Sequence, residues 1–214
     1  FAIAPKVDRR TKDGKTAWAH WQETVDPEAT VVTMDQLEHA RVITEAVLGH
    51  DAAVDMLAAG GDAELSVLWH SGKTPVKCRL DMTAEDLVVE LKTTRDASQE
   101  AFSRDIHRYR YHVQGAMYMD ALNAHKRPAR AFIIIAVETA PPYCVAAYRV
   151  DDAAIELGRQ TYQRDLALYA QCSEANRWPG YSEDIQPITL PAWAWPWDDD
   201  GIIVEQADDT RRTA

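Results

Sequence analysis

The sequence is poor in cysteine: Cys78, Cys144 and Cys172 are the only three in 214 residues, far apart and without a C-x-x-C pair. This excludes a disulfide framework and a zinc or iron–sulfur ligand pattern, and it fits a reducing compartment. Long apolar runs are missing too. The longest, "AFIIIAV" (131–137), falls well short of the ~18 residues that suggest a membrane span and suits a core strand instead. The opening "FAIAPKVDRR" lacks the basic-then-apolar order of a signal peptide. There is no internal repeat and no low-complexity tract. Positive charge is also scarce, with 23 Lys and Arg against 34 Asp and Glu, a formal net charge of −11. That excess of acid argues against wholesale non-specific attraction to nucleic acid, but not against a local basic groove beside metal-binding carboxylates. These readings predict a cytoplasmic protein with no membrane partner. The first residue is Phe1 rather than Met, so a piece of a longer protein is expected.

What is present is 46% hydrophobic content, enough for one sizeable core, and the expectation is a single domain over 1–214. Residues 1–32 read as an irregular, charged lead-in with a short helix around "KTAWAHWQE". Thr33 and Gln36 form a capping box for a helix to about Leu48, and "DAAVDMLAA" forms a second, ending at Gly60-Gly61. Strands follow at 63–69, 76–82 and 86–92, then one long helix from about Ser98 to Asn123 with Phe102, Ile106, Tyr109, Val113 and Ala116 as its core stripe. "AFIIIAVE" and "YCVAAYRV" add two strands, a helix fills about 151–172, and a Pro/Trp-rich tail occupies 173–214. The fold class is α/β (α+β): a mixed central sheet of about five strands flanked by helices.

The stretch "DLVVELKTTRDAS" (86–98) carries the chemistry. Side chains alternate along a strand, so Val88, Glu90 and Lys92 share one face of a largely apolar segment. On the preceding strand Asp81 points to the polar side, and on the one before it Glu64 and Ser66 share a face. Adjacent strands can therefore converge Glu64, Asp81, Glu90 and Lys92 on one spot. Three carboxylates that close repel one another unless a cation compensates, and Mg²⁺ or Mn²⁺ is the natural one. Lys92 would then hold or deprotonate a water, a set suited to phosphodiester hydrolysis.

Asp81 with Glu90-Leu91-Lys92 resembles the PD-(D/E)XK nuclease motif, with Leu80 where a loosely kept proline would stand. Gln114 and Tyr118, at i and i+4, resemble the QxxxY motif of the RecB-like branch and share a face with His107 and Tyr111. The string "CRLD…VVELKTTRDAS…F…YRYHVQGAMYMDA", with "FAIAPKVDRRTKDGK", "AELSVLW" and "LPAWA", is similar to the exodeoxyribonuclease VIII (RecE)-type nuclease domain. The resemblance implies a restriction-endonuclease-like core and Mg²⁺-dependent digestion of linear duplex DNA from its ends, 5′→3′, with two metal ions. It implies a toroidal oligomer (a tetramer favoured), a RecT-type single-strand-annealing partner, and a bacterial or phage-encoded protein making single strands for recombination. By position, Asp81 and Glu90 would ligate metal, Lys92 would act on water, and Glu64 would be an accessory acid. Glu90 stands where Asp is common in those relatives.

RecB-like sites take a further metal ligand from an upstream histidine; His50 is the expected one and His39 the alternative. Arg9, Arg10, Lys12, Arg95, Arg104, Arg108, Arg110 and Tyr111 are candidate DNA contacts. Trp178, Trp193, Trp195 and Trp197 either pack the tail on protein or stack on bases. A structure-selective endonuclease on the same core, or a catalytically silent DNA-binding or assembly module, are the alternative functions. An intact Asp81, Glu90 and Lys92 set speaks against the silent module.

Overall fold

In the computed structural model, residues 1–182, 184–191 and 194 are described. The chain divides into two compact units, Phe1–Asn176 and Arg177–Ala214. Among the described residues of the second unit there is no strand and no α-helix; Trp193, Trp195 and Trp197 lie outside the described residues.

The first unit starts with more order than its composition suggests. Strand β1 (Ala2–Ile3) pairs in parallel with β2 (Val31–Val32), and α1 (Lys12–Thr24) lies between them, capped by the Thr11 side chain. The helix expected around "KTAWAHWQE" is thus present and longer, and the short β1–β2 pair is the order that the irregular reading of the lead-in missed. Helix α2 (Met34–Leu48) carries the expected capping box: Gln36 N–H donates to Thr33 Oγ1 at 3.1 Å and Thr33 N–H to Gln36 Oε1 at 2.8 Å. Helix α3 (Asp51–Ala58) follows.

The main sheet has five strands in the order β3 (Ala63–Ser71), β4 (Thr74–Ala84), β5 (Leu87–Thr94), β6 (Ala131–Glu138), β7 (Val145–Arg149). Within this sheet only β5 and β6 run parallel, which requires a crossover, here made by α4 (Gln99–Arg108) and α5 (Tyr111–Ala124). Helix α6 (Asp152–Ala175) closes the unit. This is the mixed five-stranded α/β architecture the sequence predicts.

The single long helix expected over 98–123 is broken in two. Tyr109 closes α4, its N–H donating to Asp105 and His107 carbonyls, and Arg110 takes a left-handed conformation, φ 60°. A non-glycine residue there is strained by roughly 1 kcal/mol or more. Compensation comes from the ion pair of Arg110 with Asp165 on α6 and from Tyr111 packing near Phe102. The break also moves Tyr109 out of the predicted core stripe; it is 54% exposed.

Two cores sandwich the sheet. Val88, Phe132, Ile134 and Ala136 pack with Phe102, Ala116, Leu122, Ile155 and Tyr162 from α4, α5 and α6. Val89, Ile135 and Val137 point the other way, to Val47 and Ala53 of α2 and α3. Helix α5 lies close on the sheet because Gly115 has no side chain; an added Cβ would stand 2.3 Å from Phe132 Cδ1. That close approach places the QxxxY face over β5.

Candidate active site

The even face of β5 points at α5, so Val88 enters the core and Glu90 and Lys92 follow it towards the helix. Glu90 is only 3% exposed. Its Oε1 accepts from Lys92 Nζ at 2.7 Å and from Gln114 Nε2 at 2.7 Å. Gln114 Nε2 also donates to Tyr118 Oη at 2.8 Å, so both polar members of the α5 motif are tied to the strand acid. Lys92 Nζ lies 4.9 Å from the centroid of the Tyr111 ring, a cation–π contact.

The opposite side of β5 is open. β4 and β5 pair only over Met82–Ala84 and Leu87–Val89 and then separate. Asp81 sits at the fork, three residues before the end of β4. Its Oδ2 accepts from the Leu91 backbone N–H at 3.0 Å, a donor that a paired strand would otherwise have satisfied.

Burial drives the Glu90 carboxyl above the usual range. The Lys92 ammonium and the Gln114 amide pull it back, and the Asp81 charge pushes it up again. Burial likewise lifts the Tyr118 phenol to about 12, so it is a neutral donor at physiological pH. Glu90 Oε2 is buried and has no hydrogen-bond partner among the described residues. A carboxylate oxygen in that condition costs free energy unless something positive meets it.

Not every expected residue joins this cluster. Glu64, left-handed at φ 54°, turns its carboxylate to Arg79 at 2.6 Å, an exposed pair, rather than to Glu90 or Lys92. Among the described residues no three His, Cys, Asp or Glu side chains group closely enough to hold a metal, so the predicted trio of carboxylates does not form. The histidines stand with α2 and α3, which pack on the sheet face opposite Glu90. His50 caps α3, its Nδ1 accepting from Ala53 N–H at 3.2 Å. The neutral ring then carries its proton on Nε2, and ligation through Nε2 would cost the cap. His39 Nε2 donates to the Thr139 carbonyl at 2.8 Å, leaving Nδ1 on an exposed side chain. His107 belongs to α4 and stacks on His112, with centroids 6.2 Å apart, away from the Gln114–Tyr118 face that it was expected to share.

The basic residues separate into two kinds. Arg10 is paired with Asp8, Arg104 with Glu100 and Arg110 with Asp165, and the Arg9 guanidinium lies 4.4 Å from the Trp18 ring centroid. Lys12 opens α1. Arg95 and Arg108 instead line a cavity beside Tyr111. Sequence reading missed the polar cluster that locks α5 to α6: Asp120 accepts from Arg159 Nε at 2.9 and 3.0 Å and from Tyr162 Oη at 2.5 Å. The only sequence signal for it is an acid on the apolar side of one helix and an Arg-x-x-Tyr spacing on another.

Residues 19–191 match the family described as PDDEXK-like domain of unknown function (DUF3799). The chain belongs to that family. Among proteins of curated function none matches it. Of solved structures, a putative exonuclease from Eubacterium rectale is similar over 85% of this chain and 73% of its own, with a TM-score of 0.60 and 10% identity, a likeness of fold. The structure of SSO0001 shares 20% identity over 61% of this chain and 59% of its own, with a TM-score of 0.34. Fold and family place the PDDEXK-like chain in the PD-(D/E)XK nuclease superfamily, without singling out the RecE type. Its two strand acids suit a hard divalent cation: Glu90 offers an oxygen with no other partner, and the Asp81 charge is felt at the same group.

Proposed function

We infer that this PDDEXK-like protein is a metal-dependent exonuclease that degrades linear double-stranded DNA from its ends. The observation that carries the reading is the buried Glu90, which shares one oxygen between Lys92 and Gln114 and leaves the other unpartnered near Asp81. Asp81 and Glu90 would hold the cation, Mg²⁺ with Mn²⁺ as substitute, and two ions are expected. When bound, it would supply neutralisation of phosphate charge and activation of water.

The remaining steps belong to the side chains. Lys92, fixed between Glu90 and the Tyr111 ring, presents an ammonium that orients the attacking water and offsets charge on the phosphate oxygens. Gln114 fixes the Glu90 carboxylate. Tyr118, neutral and accepting from Gln114, keeps its own proton to donate to a phosphate oxygen. The RecE-type resemblance supports 5′→3′ polarity, single-stranded product for recombination, a toroidal homo-oligomer and a RecT-type annealing partner.

The test compares linear with covalently closed circular duplex in Mg²⁺, each end of the linear DNA labelled separately. Loss of label from the 5′ ends with intact circles is the expected result. Cleavage of circles would replace this reading with an endonuclease on the same core.

A further inference from the structure

A polar cavity of about 450 Å³ lies just beyond the end of β5, its walls including Thr94, Arg95, Asp105, Arg108, Tyr109 and Tyr111. Tyr111 is the wall it shares with the site, since the same ring lies under Lys92. Each acid of the cavity is engaged by the protein through one carboxylate oxygen. Asp105 Oδ2 accepts from the Thr94 hydroxyl at 3.0 Å, and Asp96 Oδ1 from the Ser98 N–H at 2.8 Å. The arginines are not: unlike Arg104 and Arg110, neither Arg95 nor Arg108 forms an ion pair among the described residues. Tyr109, 54% exposed, stacks on Tyr111 at 5.7 Å, and the Arg108 guanidinium lies 5.4 Å from its ring centroid. The break between α4 and α5 is what turns this ring outward.

We propose that this cavity is a nucleotide subsite, in which Tyr109 and Arg108 stack one unpaired base and Arg95 takes the adjoining phosphate. Its volume falls in the ~300–1,000 Å³ range of small-ligand sites. A base inside a duplex stack has no free face for Tyr109, so the subsite selects a nucleotide that has left the helix. It rests on the nuclease reading in one respect: adjacency to Lys92 makes its occupant the nucleotide next to the scissile phosphate.

The experiment is fluorescence anisotropy in Ca²⁺ with a short labelled oligothymidylate, intact or with one abasic site moved along the strand. One abasic position should weaken binding to the unaltered protein roughly tenfold. Tyr109→Ala should bind the intact strand that weakly and ignore the abasic site, whereas Tyr109→Phe, which keeps the ring, should stay within about twofold. Arg95→Ala should shallow the salt dependence by roughly one phosphate. Absence of any position-specific abasic effect overturns the subsite, as does an unweakened Tyr109→Ala. The abasic series needs no variant, so a misfolded mutant does not blunt it. A parallel Mg²⁺ cleavage assay separates the two ideas: cleavage without the abasic effect removes the subsite alone. The abasic effect without cleavage removes the nuclease reading and leaves a nucleotide-binding cavity.

Discussion

Helix α5 meets two carboxylates that are both largely hidden from water, Asp120 on its own surface and Glu90 on the strand beneath. Asp120 has every oxygen engaged, by Arg159 and by the Tyr162 hydroxyl. Glu90 has one oxygen engaged twice and the other not at all. The first arrangement is self-sufficient and joins two helices; the second leaves one buried oxygen without a donor among the described residues, the oxygen that a cation would take under the nuclease reading. A charge that the fold satisfies is structural, and one that it leaves half-satisfied is available for chemistry.

The largest expected effect falls on the incomplete side. Lys92→Ala should lower the rate of DNA hydrolysis by ~10²-fold or more while DNA binding in Ca²⁺ persists. Activity within a few-fold of the parent would take Lys92 out of the mechanism. Glu90→Gln should abolish hydrolysis too, yet leave the melting temperature in EDTA at neutral pH nearly unchanged, because the lower cost of burying an amide offsets the weakened bond to Lys92. A clear drop in melting temperature would make Glu90 structural after all and erase the contrast with Asp120.

Asp120→Asn should do the opposite. It weakens the bonds to Arg159 and Tyr162 and should cost ~1–3 kcal/mol in urea unfolding, with activity per folded molecule retained. The smallest effect concerns Tyr162, whose phenol is held up to about 12 by burial and by the Asp120 carboxylate. Below pH 10 the hydroxyl is protonated in both folded and unfolded chains, and its contribution is fully present. Between about 10 and 12 only the unfolded chain ionises, so stability falls as pH rises. Tyr162→Phe should cost about 1 kcal/mol at neutral pH and flatten part of that alkaline decline, measured as urea midpoints against pH. Tyr118 shares the same window, so some decline should remain.

The sheet and the strand acid were legible because they rest on short-range rules. Period-2 alternation put Glu90 and Lys92 on one face of an apolar strand, and i, i+4 spacing put Gln114 and Tyr118 on one face of a helix. The capping box at Thr33 was readable for the same reason. What escaped depended on tertiary geometry. The break at Arg110 has no glycine or proline to announce it; it is held by an ion pair across 55 positions of sequence. Alternation also suggested that Glu64 would converge with Asp81 and Glu90, but a left-handed backbone at Glu64 and the reach of Arg79 took its carboxylate elsewhere. The sequence puts His39 within a helix and His50 just before the next, but the far face of the sheet on which those helices pack was not legible.

The fork between β4 and β5 has a consequence for amide exchange. The Leu91 N–H lies within a strand, but its acceptor is the Asp81 carboxylate rather than a neighbouring backbone. Its protection from deuterium is therefore a property of one side chain and does not report the sheet as a whole. Asp81→Ala should release that proton to solvent while the Lys92 and Thr94 amides, which alternate to the β6 side of the strand, exchange as before. Any ligand that draws Asp81 Oδ2 away should do the same in the unaltered protein. One amide of β5 thus becomes a clock for what the Asp81 carboxylate is holding.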